Sequence, residues 1–264
     1  MNYILRIALL STVALGCMAT ARAATDADWQ ALAAYQYGQD FKPLLDIERE
    51  LIGAMNDAEK RQVCTQRLMT MLADTKTTLP AKQFICYQLQ VLGTSDQVPL
   101  LAKMLDDAKT AEMARTTLEK IRGEKSLAVL RDGLKKHDGK LLLGLINSVA
   151  TRKDTASIDT LKELADGKNA EVVDAALRAL ANIGGPAATE VVAKKVTQAG
   201  KPIPHRLAIA YLRCADSLAK AGMADAAAAI YARMSKPDVD TPNREAALEG
   251  TLDAAGDKIV ATTI

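Results

Sequence analysis

Two histidines are the chain's most versatile proton carriers, and neither has the company that catalysis needs. His137 stands in Lys135-Lys136-His137-Asp138-Gly139 at an expected helix end, where a cation complements the dipole. His205 follows Pro204 in an expected first helical turn, facing water. A general base works on a nucleophile or a bound ligand within hydrogen-bond reach, and the sequence sets none beside either ring. Asp106-Asp107 and Glu48 with Glu50 carry the carboxylates that glycoside cleavage uses. Adjacent or alternate positions on a helix, however, do not face one substrate together, so a solvated face explains them better. The chain holds no G-x-G-x-x-G, P-loop, H-E-x-x-H or G-x-S-x-G pattern. No catalytic residue, cofactor site or metal site is expected.

The cysteines lead to the same reading. Cys17 lies in the N-terminal apolar segment, and Cys64, Cys86 and Cys214 each lie inside an apolar helical stretch. None forms a C-x-x-C pair and no histidine stands nearby, which argues against zinc or haem. Buried thiols acting as small hydrophobes are expected. The alternative is a disulfide between Cys64 and Cys86, should neighbouring helices bring them together.

The elements that would position any site are helices. Aromatic residues make up 3% of the chain and apolar residues 49%, much of it Ala and Leu, which suits close helix packing and suits sheets poorly. The patterning predicts a short helix over 26–37, a break at Gly38-Gln39-Asp40, a second helix through Leu44, Ile47 and Leu51, and a third over 57–74. Helix pairs then follow: 81–92 with 98–106, 111–121 with 126–136, 140–152 with 155–166, 170–183 with 187–198, and 204–221 with 225–235. A final helix over 242–255 has no partner. Gly93, Gly123, Gly184 and Gly222 suit the left-handed residue that ends a helix. Thr94-Ser95-Asp96, Asp154, Asn169 and Thr241 suit caps, and Pro80, Pro186, Pro204 and Pro242 suit first turns.

Five of these helices end on related tails: Gln90-Val91-Leu92-Gly93, Glu119-Lys120-Ile121-Arg122-Gly123, Ala181-Asn182-Ile183-Gly184, Ala219-Lys220-Ala221-Gly222 and Asp253-Ala254-Ala255-Gly256. A sixth, Asn147-Ser148-Val149-Ala150, lacks the glycine. From apolar residue to apolar residue the intervals are 29, 28, 34, 38 and 34. Such a period marks a helical-pair solenoid, whose units bury their apolar faces only by stacking. The segment Glu171-Val172-Val173-Asp174-Ala175-Ala176-Leu177-Arg178-Ala179-Leu180-Ala181-Asn182-Ile183-Gly184 resembles the first helix of a HEAT repeat, with Val173 where that family carries arginine and Ala181 where it carries its first glycine. Ala114 to Ile121 and Arg244 to Leu248 are weaker copies. The series Lys82 to Leu89, Met113-Ala114-Arg115, Gly144 to Ser148 and Leu212 to Ala215 is similar to exported bacterial HEAT-repeat proteins, some of which continue into a carbohydrate-active domain of the keto-disaccharide hydrolase type. The resemblance spans about Ala27 to Leu252. It implies an all-α fold, a right-handed α-solenoid of helical hairpins, and no catalytic residues.

In HEAT-like solenoids the second helices usually line the concave side, so that resemblance directs attention to their basic residues. Lys103, Arg131, Lys135, Lys162, Lys194 and Arg233 are the candidates for a partner-binding stripe, joined by Lys136 and Lys195 and interrupted by Asp106, Asp132, Asp159, Glu163 and Glu190. Mixed charges on solvated faces are the favoured reading of the same residues, since surface charges of both signs are the norm. Met69, Met71, Met104 and Met113 are expected as core filler rather than as an adaptable surface.

Residues 1–23 read as an export signal. Arg6 leads into the apolar run Ile7 to Ala19, and Ala21-Arg22-Ala23 is a small-residue cleavage site. Ala14-Leu15-Gly16-Cys17 resembles a lipobox, but the small-residue site favours cleavage after Ala23 over lipid anchoring at Cys17. Arg6 and Arg22 depart with the signal, taking 34 Lys+Arg to 32, equal to the 32 Asp+Glu. A neutral chain exerts no overall pull on nucleic acid or anionic lipid. The expected organisation is a signal peptide (1–23), an N-terminal helical cap region (24–79) and HEAT-like repeats (80–264) with the last incomplete, which exposes a stacking surface. The expected function is a non-catalytic periplasmic or envelope scaffold for a protein partner. The alternative is the non-catalytic N-terminal arm of a larger secreted carbohydrate-processing hydrolase. A HEAT-type enzyme such as a pigment-attachment lyase would need the cytoplasm, against the signal.

Overall fold

The computed structural model describes residues 23–263, with side chains from Ala23 to Asp253. All of the expected signal segment but Ala23, including Cys17, lies outside the described residues. Among the described residues there are fourteen α-helices, one 3-10 turn and no strand, so the chain is all-α. None of these helices is long and apolar enough to cross a membrane.

The chain divides into two compact units, one ending at Gly93 and the other beginning at Thr94. The first contains α1 (Asp26–Ala34), α2 (Lys42–Ala54), α3 (Ala58–Ala73) and α4 (Leu79–Leu92). Thr25 opens α1 with a reciprocal capping box, its hydroxyl and N–H engaging Asp28. Asp57 caps α3 through Lys60 N–H, and Thr78 caps α4, where Pro80 fits the first turn as expected. The apolar faces bury Trp29, Leu32, Leu44, Ile47, Leu51, Leu68, Ile85 and Leu89 against one another. Helix α4, expected as the first member of the repeat array, packs on α1, α2 and α3. Thr78 ties its start to the end of α1 through bonds to Ala33 O (3.1 Å) and Tyr35 O (2.6 Å).

The second unit contains α5 (Val98–Met104), α6 (Ala111–Lys120), α7 (Glu124–Lys136), α8 (Gly139–Thr151), the 3-10 turn Thr155–Ser157, α9 (Ile158–Ala165), α10 (Ala170–Ile183), α11 (Gly185–Gln198), α12 (His205–Lys220), α13 (Ala224–Met234) and α14 (Thr241–Thr263). Helix α6 packs on α8, α8 on α10, α10 on α12 and α12 on α14. Within pairs, α6 meets α5 and α7, α10 meets α9 and α11, and α13 meets α12 and α14. Small buried residues line these contacts, among them Ala114, Ala175, Ala176, Ala208, Ala210 and Ala215, and they let helix backbones approach closely.

The helix boundaries match the sequence expectations at most ends, and the departures have local causes. Gly93 closes α4 in an extended conformation (φ −63°), not a left-handed one. The chain passes directly into a turn in which Gln97 Oε1 accepts from Thr94 N–H (2.5 Å), so no reversal is needed at Gly93. The cap of α14 is Asp240 rather than Thr241, with Oδ1 accepting from Asn243 N–H (3.2 Å). Helix α14 runs past the expected end at Ala255 to Thr263. A glycine such as Gly256 costs a helix interior only about 1 kcal/mol, which is not enough to stop it.

Candidate functional site

The six basic residues of the expected stripe fall on α5, α7, α9, α11 and α13, and the structure treats them unequally. Lys103, Lys135, Lys162 and Lys194 are exposed. Arg131 is drawn inward, pairing with the buried Asp154 at 2.9 Å and also with Glu124. Ser157 hydroxyl donates to the other oxygen of Asp154 at 2.5 Å, so Arg131 anchors α7 to the 3-10 turn. Arg233 forms a two-pronged pair with Asp238 at 2.8 and 3.1 Å. Neighbours are brought together in two places: α5 packs on α7, and α9 on α11, where Lys195 spans to Asp166 at 2.5 Å. The Lys195 ammonium holds the Asp166 carboxyl below its ordinary range. Lys162 and Lys194 also act on Asp166. The exposed lysines share the surface with exposed Asp106, Asp132, Asp159, Glu163 and Glu190, while the two arginines are held in ion pairs.

A cleft of about 370 Å³ opens between α11 and α13, lined by Ala193, Val196, Thr197, Gly200, Lys201, Tyr211 and Arg233. Lys201 Nζ lies 3.9 Å from Asp238, so one carboxylate faces two cations at its edge. Hydrogen bonding from Arg233 holds Asp238 below the ordinary carboxylate range. Burial, reinforced by Cys214, raises Tyr211, which is therefore a neutral phenol at physiological pH. Sequence reasoning found Arg233 but missed Lys201 and Tyr211. Their convergence depends on the 199–204 loop folding back, and no periodicity signals that.

His205 is exposed as expected, yet it is not isolated. Its Nδ1 lies 3.1 Å from Asp240 Oδ2 and 2.9 Å from the side-chain amide of Asn243, which is buried and also donates to Asp240. Burial raises Asp240, but the bonds from Asn243 and His205 outweigh it and leave the carboxyl below its ordinary range. A carboxylate orienting an imidazole is part of a catalytic arrangement. Among the described residues, though, no hydroxyl or thiol is hydrogen-bonded to that ring. The cluster ties the start of α12 to the start of α14. His137 closes α7 as expected, with Nε2 3.8 Å from Asp106.

Cys64, Cys86 and Cys214 are all buried, in accord with the expectation of core thiols. Cys64 and Cys214 are free thiols, so the Cys64–Cys86 disulfide is not formed. Burial pushes Cys214 up to about 11, which removes its thiolate at physiological pH. Met104 is buried, as a core filler should be, whereas Met69, Met71 and Met113 are only half-buried. No family model matches the chain, and no curated protein matches it.

Proposed function

We propose that the chain is a HEAT-like α-solenoid, exported to the bacterial periplasm or envelope, that holds a protein partner along the surface of its second helices. The observation that carries this reading is the serial packing of α6, α8, α10, α12 and α14, each on its predecessor. A row of helices joined only to neighbours offers an extended face rather than an enclosed pocket. The exposed Lys103, Lys135, Lys162 and Lys194 lie on the alternate helices and give that face a charge to recognise. Lysines of this kind act mainly on association rate and partner choice. The expected partner therefore presents acidic side chains.

The test is pull-down from a periplasmic extract with the processed protein and with a fourfold Lys→Glu variant at 103, 135, 162 and 194. One protein should be captured by the wild type, with salt-sensitive retention, and lost from the variant. Capture of nothing, or equal capture by both, sinks the proposal.

Exposed Leu248 and Leu252 on α14 favour a second reading, in which a further domain covers them. In that reading the chain is the non-catalytic arm of a larger secreted carbohydrate-processing enzyme. An in-frame hydrolase domain in the genomic DNA downstream of the Ile264 codon would support it, and an immediate stop codon would remove it.

A further inference from the structure

Glu50, on α2, is a half-buried carboxylate that no basic side chain neutralises among the described residues. Its Oε2 accepts from the backbone N–H of Ala24 at 2.8 Å, and its Oε1 lies 3.9 Å from Cys64 Sγ. The acids around it are already engaged. Asp28 receives the Thr25 N–H at 2.7 Å and the Thr25 hydroxyl at 2.6 Å. Asp26 pairs with Arg67 at 2.7 Å, and that guanidinium lies 4.5 Å over the Trp29 ring. A carboxylate partly removed from water, with only an amide and a thiol as donors, lacks the compensation that a cation provides.

The atom that could supply that cation is the one already bonded. Ala21-Arg22-Ala23 makes the Ala23–Ala24 peptide bond the expected cleavage point for an export-linked endopeptidase. We infer that hydrolysis of this bond turns the Ala24 nitrogen into an α-ammonium that ion-pairs with Glu50, making Glu50 the receptor for the mature N-terminus. Water adds across the bond, Ala23 leaves as a carboxylate, and the Ala24 nitrogen takes up protons to become –NH3⁺. The amide–carboxylate hydrogen bond at 2.8 Å thereby becomes an ion pair with both partners charged. The pairing also answers a local problem. A cation two residues before α1 meets the positive end of that helix's dipole, and a facing carboxylate offsets the repulsion.

Glu50 on α2 is the group bonded to the new terminus. The titratable and charged groups next around it are Asp26 and Asp28 on the first turn of α1, Lys42 and Asp46 on α2, and Cys64 and Arg67 on α3. With Arg67 held by Asp26, the pair with Glu50 raises the folded-state pKa of the α-amine above its unfolded value, ordinarily about 8. The resulting stabilisation is complete below the unfolded pKa and is lost as pH rises through the folded one. This inference rests on the expected processing site, and its failure would leave the partner-binding reading untouched.

The experiment expresses the full precursor in a secretion-competent bacterium and reads the mature N-terminus by intact mass and N-terminal sequencing. The α-amine is then labelled by reductive methylation with 13C and titrated by NMR, in the native protein, in the urea-unfolded protein and in Glu50→Gln. We expect a chain beginning at Ala24, a native amine pKa about one unit above the unfolded one, and no such difference in Glu50→Gln. A terminus elsewhere, including at Cys17, overturns the inference. So does a native amine that titrates with the unfolded one, a result that stands even if the variant fails to fold.

Discussion

Arg115, on α6, is 9% exposed, and a buried guanidinium survives only when its donors are matched. Its Nε donates to Glu112 at 2.9 Å, and its Nη1 reaches Glu119 at 3.3 Å, Gly144 O at 3.3 Å and Ser148 Oγ at 2.5 Å. Ser148 in turn donates to Glu119 at 2.9 Å, closing a polar ring between α6 and α8. Bonding to Glu112, followed by burial acting in the opposite sense, leaves the guanidinium firmly cationic. Arg115→Met would leave the half-buried Glu119 with only Ser148 and the exposed Lys120 as partners and would take a donor from Ser148 Oγ. We expect a loss of about 2–4 kcal/mol by urea denaturation, since removing the buried partner leaves the carboxylate undercompensated. Arg115→Lys keeps the charge but not the fork, and should fall between. Adding Glu119→Leu to Arg115→Met should recover part of the loss. If Arg115→Met proves neutral, the ring contributes nothing to the fold.

Between elements, the same kind of bond recurs at successive helix ends. Arg152, closing α8, donates to Ile121 O (2.7 Å) and Glu119 O (3.1 Å) at the end of α6. Asn182, near the end of α10, donates to Ala150 O of α8 at 3.3 Å. The last carbonyls of a helix lack the usual helical donors, and here donors from the turn (Lys153 N–H to Ala150 O, Ser126 hydroxyl to Ile121 O) and from the next helix of the series share them. At the third position the contact is steric. Gly184 ends α10 at φ +74°, and a Cβ there would fall 2.0 Å from Ser217 Oγ of α12. Gly184→Ala should therefore cost about 3–5 kcal/mol, combining the strain of a positive-φ, extended-ψ backbone with displacement of Ser217. Gly123, at φ +108° and ψ 170° with open space around it, should cost only the strain, about 1–3 kcal/mol, on the same substitution. Equal losses in thermal or urea unfolding would contradict the assigned Ser217 contact. The helix ends were legible because they depend on neighbours in sequence: Asn169 accepts from Glu171 and Val172, and α10 spans the expected Ala170–Ile183. The cross-helix bonds were not, because Arg152 and its acceptors lie 31 and 33 residues apart and meet only once helix register is set. For the same reason the stripe's composition was readable, whereas the inward turn of Arg131 onto Asp154, 23 residues away, was not.

At the scale of the whole molecule, the question is how a disturbance travels. In a closed globular core, a cavity at the centre loosens everything, because each element shares one interior. In a row of helices coupled only to neighbours, stability is close to a sum of local terms, and damage decays along the row. Leu180, fully buried on α10, is the position that separates these cases. Helix α10 packs on α8, α9, α11 and α12, whereas α6 and α14 lie one step further along the series. Leu180→Ala removes a buried side chain at a cost of about 2–5 kcal/mol. Native-state hydrogen exchange on the variant should show the largest loss of amide protection in α10 and the helices packed on it, α8, α9, α11 and α12. The loss in α6 should be smaller, since neither it nor α7 packs on α10. Deprotection that is uniform across residues 94–253 would mean a single cooperative interior, and the serial arrangement behind the scaffold proposal would fail with it. A graded loss would instead mean that one end of the row can open while the other stays folded, the property a long binding face needs to adjust to a partner.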